Sequence, residues 1–249
     1  MDDDRWPWFE EQIQGKELDY HWFIVDWHTC RNDTRISIAQ EGGRLAGALL
    51  IFRGRICQMR GESQAAEALL AMVGEGVTEM VMPLEWVDLM PARLKVKRME
   101  EILLMSLEKG SERLIFVREP ERLGPWDLND LVALLHEADR ITWGEVTAAS
   151  LADSVATGAW YGIRQNGRVV AVAGSWMKGD PKHVNIVAVS KQFRGHGYAR
   201  SVLSRLLEDI FQESDKALIN VRADNMPALR AYKALGFVPR LTYCRAIMV

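Results

Sequence analysis

The run Gln192-Phe193-Arg194-Gly195-His196-Gly197 separates an apolar stretch ending at Val189 from a helical apolar pattern. The start of a helix leaves several backbone N–H groups without an intrahelical partner, and it carries the positive end of the helix dipole. Gly195 and Gly197 remove side chains where a phosphate must come close. Together these features make an anion site in which peptide amides point at phosphate oxygens. Arg194 is placed to add a charge-assisted contact. His196 reads as a solvent-facing spacer whose backbone matters more than its ring. Two glycines ahead of a helix also make a plain tight turn, so the surrounding elements have to decide.

From Ser111 onward those elements follow a clear pattern. "RLIFVRE" reads as a strand, "WDLNDLVALLHEAD" and "EVTAASLADSVATG" as helices. Asn166-Gly167 between two apolar runs signals a hairpin. "HVNIVAV" is the next strand, and after the glycine turn Ala199, Val202, Leu203, Leu206, Leu207, Ile210 and Phe211 recur at three- and four-residue steps. "ALINVRA" is a strand, "MPALRAYKALG" a short helix closed by Gly236, and "LTYCRAIMV" a last strand. The first half repeats the order more weakly: a hairpin turning at Gly42-Gly43, a strand, turn and helix over "RICQMRGESQAAEALLAMV", a strand "VTEMVMP", a short helix "LEWVDLM" and a closing strand "EEILLMSL". This reading is a tandem duplication with a boundary near residues 108–111, giving domains 1–110 and 111–249.

The 249-residue chain is 48% hydrophobic and 26% charged, with a net charge of −3. That balance argues against a dedicated nucleic-acid or anionic-membrane binder. The apolar runs are too short to span a bilayer. "MDDDRWPWFEEQ" resembles neither a signal nor a transit peptide. Cys30, Cys57 and Cys244 have no CxxC spacing, which is expected of reduced thiols in a cytoplasmic protein without structural metal. His21, His28 and His136 have no ligand partners at recognisable spacing. Trp6, Trp8, Trp22 and Trp27 crowd the first thirty residues, so that end is expected to pack onto the fold.

Gln192 to Gly197 fits a Gln/Arg-x-x-Gly-x-Gly/Ala signature, and "NVRADNMPALRAYKALGFVP" follows at the right distance. In both, the chain resembles the GNAT superfamily of CoA-dependent N-acyltransferases over residues 111–249. In the second stretch Asn225, Ala228, Tyr232 and Leu235-Gly236-Phe237 stand where that family has Asn, Ala or Ser, Tyr and Gly-Phe. The dinucleotide fingerprint and Walker A both need other spacings. The resemblance implies an α/β fold with a mixed sheet (the GNAT fold) and a degenerate GNAT-like first half. "MRGESQAAEAL" there keeps Gly61 and lacks the second glycine. The two-half layout is similar to that of the glycine N-acyltransferase-like branch, with acyl-CoA expected on the C-terminal half alone.

The resemblance further implies a splayed parallel strand pair, with pantetheine bonded along Val187, Ala188 and Val189. The pyrophosphate would rest on the amides of Gln192, Phe193, Arg194, Gly195, His196, Gly197, Tyr198 and Ala199, with Asn225, Ala228 and Tyr232 also on the cofactor side. Acetyl-CoA is the implied donor and a primary amine the acceptor, joined by direct attack. The Val189 N–H would polarise the thioester and Tyr232, with an ordinary pKa near 10, would protonate the leaving thiolate. Where several family members have a glutamate, this chain has His183, so the base stays open among His183, Asp180, Glu145 and water. A homodimer is the family expectation. The competing reading is a non-catalytic acyl-CoA sensor built on the same fold.

Overall fold

The computed structural model describes Met1 and residues 3–249. The chain forms two compact units. One comprises Met1–Leu104, Arg222–Asp224 and Leu241–Val249; the other comprises Met105–Val221 and Asn225–Arg240. The last nine residues therefore belong to the first unit, although they end the second half of the sequence.

The first unit opens with helices α1 (Trp6–Gln12) and α2 (His21–Thr29). A hairpin follows, of β1 (Thr34–Glu41) and β2 (Arg44–Phe52). Its turn glycines, Gly42 and Gly43, have φ of 56° and 81°, the paired left-handed geometry that twists a two-residue turn to match its strands. Next come β3 (Ile56–Gly61), α3 (Ser63–Ala71), β4 (Glu79–Pro83), a 3₁₀ turn at Leu84–Leu89, and β5 (Val96–Glu108), which runs on into the second unit. Successive residues of β2 enter opposite cores. Ala48 and Leu50 pack with Trp6, Phe9, Phe23 and Trp27, whereas Leu49 packs with Met59, Leu69 and Trp86. A strand covered on both faces reads as a continuous apolar run, which explains "LAGALLIF". The early tryptophans do pack: Trp6 stacks on Trp27 at 4.6 Å.

The second unit contains β6 (Glu121–Arg122), α4 (Leu128–Ala138), α5 (Arg140–Trp143) and α6 (Ala148–Thr157). The hairpin β7 (Ala159–Gln165) and β8 (Arg168–Ser175) turns at Asn166-Gly167, with φ of 50° and 79°. Then come β9 (Lys182–Val184), β10 (Ile186–Val189), α7 (Tyr198–Glu213), β11 (Lys216–Arg222), α8 (Met226–Leu235) and β12 (Val238–Met248), whose end returns to the first unit. The mixed α/β architecture with parallel and antiparallel pairs is the one the sequence implied.

Two expected strands differ. Residues 113–119 form no strand. Instead the Ile115 and Val117 amides donate to the Ser204 and Ser201 hydroxyls of α7, at 2.8 and 2.9 Å. The backbone found its acceptors on a helix, and Leu114, Phe116 and Val117 stay exposed. "HVNIVAV", read as one strand, is two, broken at Asn185. Among the described residues no helix is long and apolar enough to cross a membrane.

Candidate active site

The break at Asn185 builds the site. Asn185 donates its N–H to Gly174 O at 2.9 Å, and Ile186 is also partnered with Gly174. Two residues thus oppose one, which is a β-bulge, and bulges bend and re-aim strands. The Asn185 side chain fixes the bend by accepting from the Trp176 amide at 2.9 Å. Gly174 leaves no choice opposite it, since a Cβ there would lie 2.5 Å from the Trp160 ring. Before the bulge, Lys182, His183 and Val184 pair in parallel with Ala217, Leu218 and Ile219. After it, β10 pairs with β8 alone, and it is the last strand in the order β10-β8-β7-β6. The parallel pair therefore opens beyond Val184 and Ile219.

The open side of β10 carries backbone groups. Ser190 donates to Val170 O, within the β8 register. Antiparallel residues alternate sides, so the Ile186 and Ala188 amides face β8 while those of Val187 and Val189 face the free edge. Ile186 and Ala188 are buried in the core under α4, and Val187 and Val189 are half-buried.

Ahead of α7, Gly195 and Gly197 have φ of 82° and 80°, a left-handed geometry that only glycine adopts without strain. A Cβ on Gly195 would meet nothing, so its glycine serves conformation. A Cβ on Gly197 would sit 3.1 Å from Val117 and from Arg200, so that position is also crowded. Gly197 is the N-cap and brings no side-chain acceptor to the first amides of α7. The turn is held from outside. Lys191 N donates to Glu137 Oε1 at 2.9 Å, and Gln165 Nε2 donates to the Tyr198 hydroxyl at 3.0 Å. Arg194 Nη2 donates to Ala138 O at 2.7 Å and Arg194 Nε to Val189 O at 3.3 Å. The Arg194 guanidinium is thus engaged by two carbonyls, where the sequence suggested a phosphate ligand. His196 is exposed, with its Nδ1 3.0 Å from Arg194 O, as expected of a spacer.

Tyr232 lies on α8, which packs against α7, and its ring meets Phe237 at 6.1 Å. Burial holds its phenol well above the ordinary pKa, so it carries its proton at neutral pH. Asn225 caps α8, accepting from Ala228 N at 3.3 Å, which engages both residues with each other. His183 is buried in the closed part of the pair, with its carbonyl accepting from Ser175 Oγ at 2.8 Å. Asp180 accepts from Ser214, before the closed end, and Glu145 is exposed between α5 and α6. Sequence reasoning missed Asn185, Glu137 and Gln165. Asn185 had a signal: asparagine is disfavoured inside an apolar strand run.

An open strand edge with two outward amides, beside a helix start with a glycine cap, fits an extended amide chain ending in a phosphate group. Among the described residues no cluster of His, Cys, Asp or Glu is arranged to hold a metal.

Residues 128–237 match the model of the acetyltransferase (GNAT) family. A 59-residue stretch is 41% identical to the N-terminal acetyltransferase B complex catalytic subunit NAA20 of Arabidopsis thaliana, covering 22% of this chain and 33% of that subunit. The chain thus spans about a third of that curated relative's length. A putative GNAT-family acetyltransferase from Novosphingobium aromaticivorans superposes with a TM-score of 0.60 at 21% identity, over 85% of this chain and 90% of that one. A tandem GNAT protein from the clavulanic acid biosynthesis pathway gives a TM-score of 0.51 at 14% identity, over 86% and 82%. At such identities the structural likeness speaks for the fold.

Proposed function

We propose, from the match of residues 128–237 to the acetyltransferase (GNAT) family model, that the protein is an N-acetyltransferase, moving an acetyl group from acetyl-CoA to a primary amine. The observation that carries this reading is the bulge at Asn185, which frees the Val187 and Val189 amides beside the glycine-capped start of α7. The pantetheine amides bond along the β10 edge, and the pyrophosphate rests on the first amides of α7. Val189 N–H donates to the thioester carbonyl and stabilises the oxyanion as the amine nitrogen attacks. The C–N bond forms, the C–S bond breaks, and the Tyr232 phenol gives its proton to the departing thiolate. His183 stands on the strand that runs into the opening and takes the amine's proton through water. Asp180 is engaged with Ser214, and Glu145 lies on an exposed loop.

The first unit is read as a degenerate copy that contributes no acyl-CoA site. Its order of two helices, hairpin, strand, helix, strand, 3₁₀ turn and strand resembles that of the second half, which has three helices before its hairpin, a strand split in two after it and α8 in place of the 3₁₀ turn. Cys57 and Cys244 are free and buried, in keeping with a reducing compartment such as the cytoplasm.

Calorimetric titration with acetyl-CoA tests the reading, comparing wild type with Gly197→Glu. The variant puts a carboxylate and a side chain at the crowded cap. Wild type should bind one acetyl-CoA per chain, and the variant should lose at least about 100-fold in affinity, near 2.7 kcal/mol. A wild type that binds neither acetyl-CoA nor longer acyl-CoAs would end the acyltransferase reading.

A further inference from the structure

We propose that Arg194 is a positioning residue that sets the Val189 amide in place for the thioester, and is not a phosphate ligand. This rests on the acetyltransferase reading above. The guanidinium joins two elements: Nε donates to Val189 O at the end of β10, and Nη2 donates to Ala138 O in the last turn of α4. The second contact lies at the negative end of a helix dipole, where a cation is favoured, and it is charge-assisted. In an extended residue of an antiparallel strand the N–H and C=O point to the same side. Holding Val189 O therefore holds the side on which Val189 N–H must meet the substrate carbonyl. The same turn of α4 grips the loop a second time, through Glu137 Oε1 and Lys191 N. Val189 is the last residue of its strand, with β8 on one side only, so nothing else in its own sheet fixes its free edge.

The two roles separate experimentally. A phosphate ligand acts on affinity; a clamp on Val189 acts on the polarisation of the bound acetyl group. The probe is acetyl-CoA carrying ¹³C in its carbonyl, with affinity from calorimetry and the carbonyl stretch of the saturated complex from difference infrared spectroscopy. In wild type the stretch should fall below its value in water, because a fixed N–H draws charge onto the oxygen. In Arg194→Met the stretch should return toward the free value while affinity stays within about threefold. Turnover on any amine that wild type accepts should drop about 100-fold, the usual result of an ångström-scale misplacement. Arg194→Lys keeps the charge but cannot bridge both carbonyls, so it should recover only part of the shift and guards against a folding artefact. If Arg194→Met loses tenfold or more in affinity with an unchanged stretch at saturation, the arginine is a phosphate ligand and the proposal is wrong. It is equally wrong if neither quantity moves. A wild type that fails to bind acetyl-CoA defeats the acetyltransferase reading itself, and that result is visible before any variant is made.

Discussion

Two parallel strand pairs in this molecule open at one end, and they are filled in opposite ways. In the first unit Ile56, Cys57 and Gln58 pair with Glu79, Met80 and Val81. Beyond them β3 continues beside β2, and β4 beside β12. The Arg60 guanidinium spans the opening: Nη1 reaches Met59 O at 2.6 Å and Val81 O at 3.3 Å, one carbonyl on each strand. Nε meets the Asp19 carboxylate at 2.8 Å, and the group lies 3.9 Å from the Tyr243 ring, with the residue only 2% exposed. In the second unit the opening between β10 and β11 begins at a bulge, and Val187 and Val189 bring no hydrogen-bonding side chain to it. Separating paired strands strands their backbone groups, and such groups need partners. One unit supplies the partner from its own sequence; in the other, on the function proposed above, acetyl-CoA takes the place.

Removing the built-in partner should be the most damaging change. Arg60→Ala leaves the Asp19 carboxylate without its cation and takes donors from Met59 O and Val81 O. Loss of one member of a buried ion pair costs 3–5 kcal/mol, and Asp19 is partly exposed, so about 3 kcal/mol is expected. Chemical denaturation reads the loss, and acetyl-CoA affinity should stay within about twofold. A loss below about 1 kcal/mol would mean that Arg60 merely occupies the opening and does not hold it.

On the open side, the matching test is Tyr232→Phe. The hydroxyl is held protonated by burial, and the first unit has a 3₁₀ turn with the buried Trp86 after its own β4. Losing a general acid lowers kcat by about 100-fold or more. Acetyl-CoA affinity should hold, since the role proposed for the phenol is at the leaving sulfur. Unchanged turnover would show that the thiolate leaves without this proton and would favour an acyl-CoA sensor over an enzyme.

The contrast also shows what the residue pattern could and could not reveal. Hairpin turns were legible because Asn166-Gly167 and Gly42-Gly43 have few other uses. The long helix α7 was legible from its apolar spacing, and the turn before it from its glycines. The missing strand at 113–119 was not, because its alternating residues look like a strand while its acceptors, Ser201 and Ser204, lie more than eighty residues away. The filling of the first opening was hidden for the same reason. Arg60 finds Asp19 and Tyr243 across separations that no local pattern carries. The contact of Arg194 with a carbonyl of α4 was likewise out of reach, so composition alone favoured phosphate.

Alkali should separate the units next. Burial raises Tyr20 and Tyr243 in the first unit and Tyr232 in the second, and it pushes the Cys57 thiol up to about 12. In the unfolded chain thiols titrate near 8.5 and phenols near 10, roughly. Each raised group therefore keeps its proton in the fold when the unfolded chain has lost it. Its contribution is complete below the unfolded pKa and falls as pH rises toward the folded one. The thiols of Cys57 and Cys244, both raised by burial, act first, and Cys57 alone should cost about 2 kcal/mol between about pH 8.5 and 10. Urea midpoints across that range should fall, and Cys57→Ala should flatten the fall. An equally steep fall in the variant would assign the loss to other groups.

The smallest expected effect tests the start of α8, where the second unit has a side-chain cap and the 3₁₀ turn after β4 has none. Asn225 Oδ1 accepts from Ala228 N, and replacing such a cap by alanine costs about 1 kcal/mol. Asn225→Ala should show that loss in denaturation while acetyl-CoA affinity stays within about threefold. The helix would then hold Tyr232 by its own packing, with Asn225 serving the fold. An affinity loss of tenfold or more would instead give the Asn225 amide a direct part in holding the cofactor, and the second opening would then take a ligand contact from α8 as well as from β10 and α7.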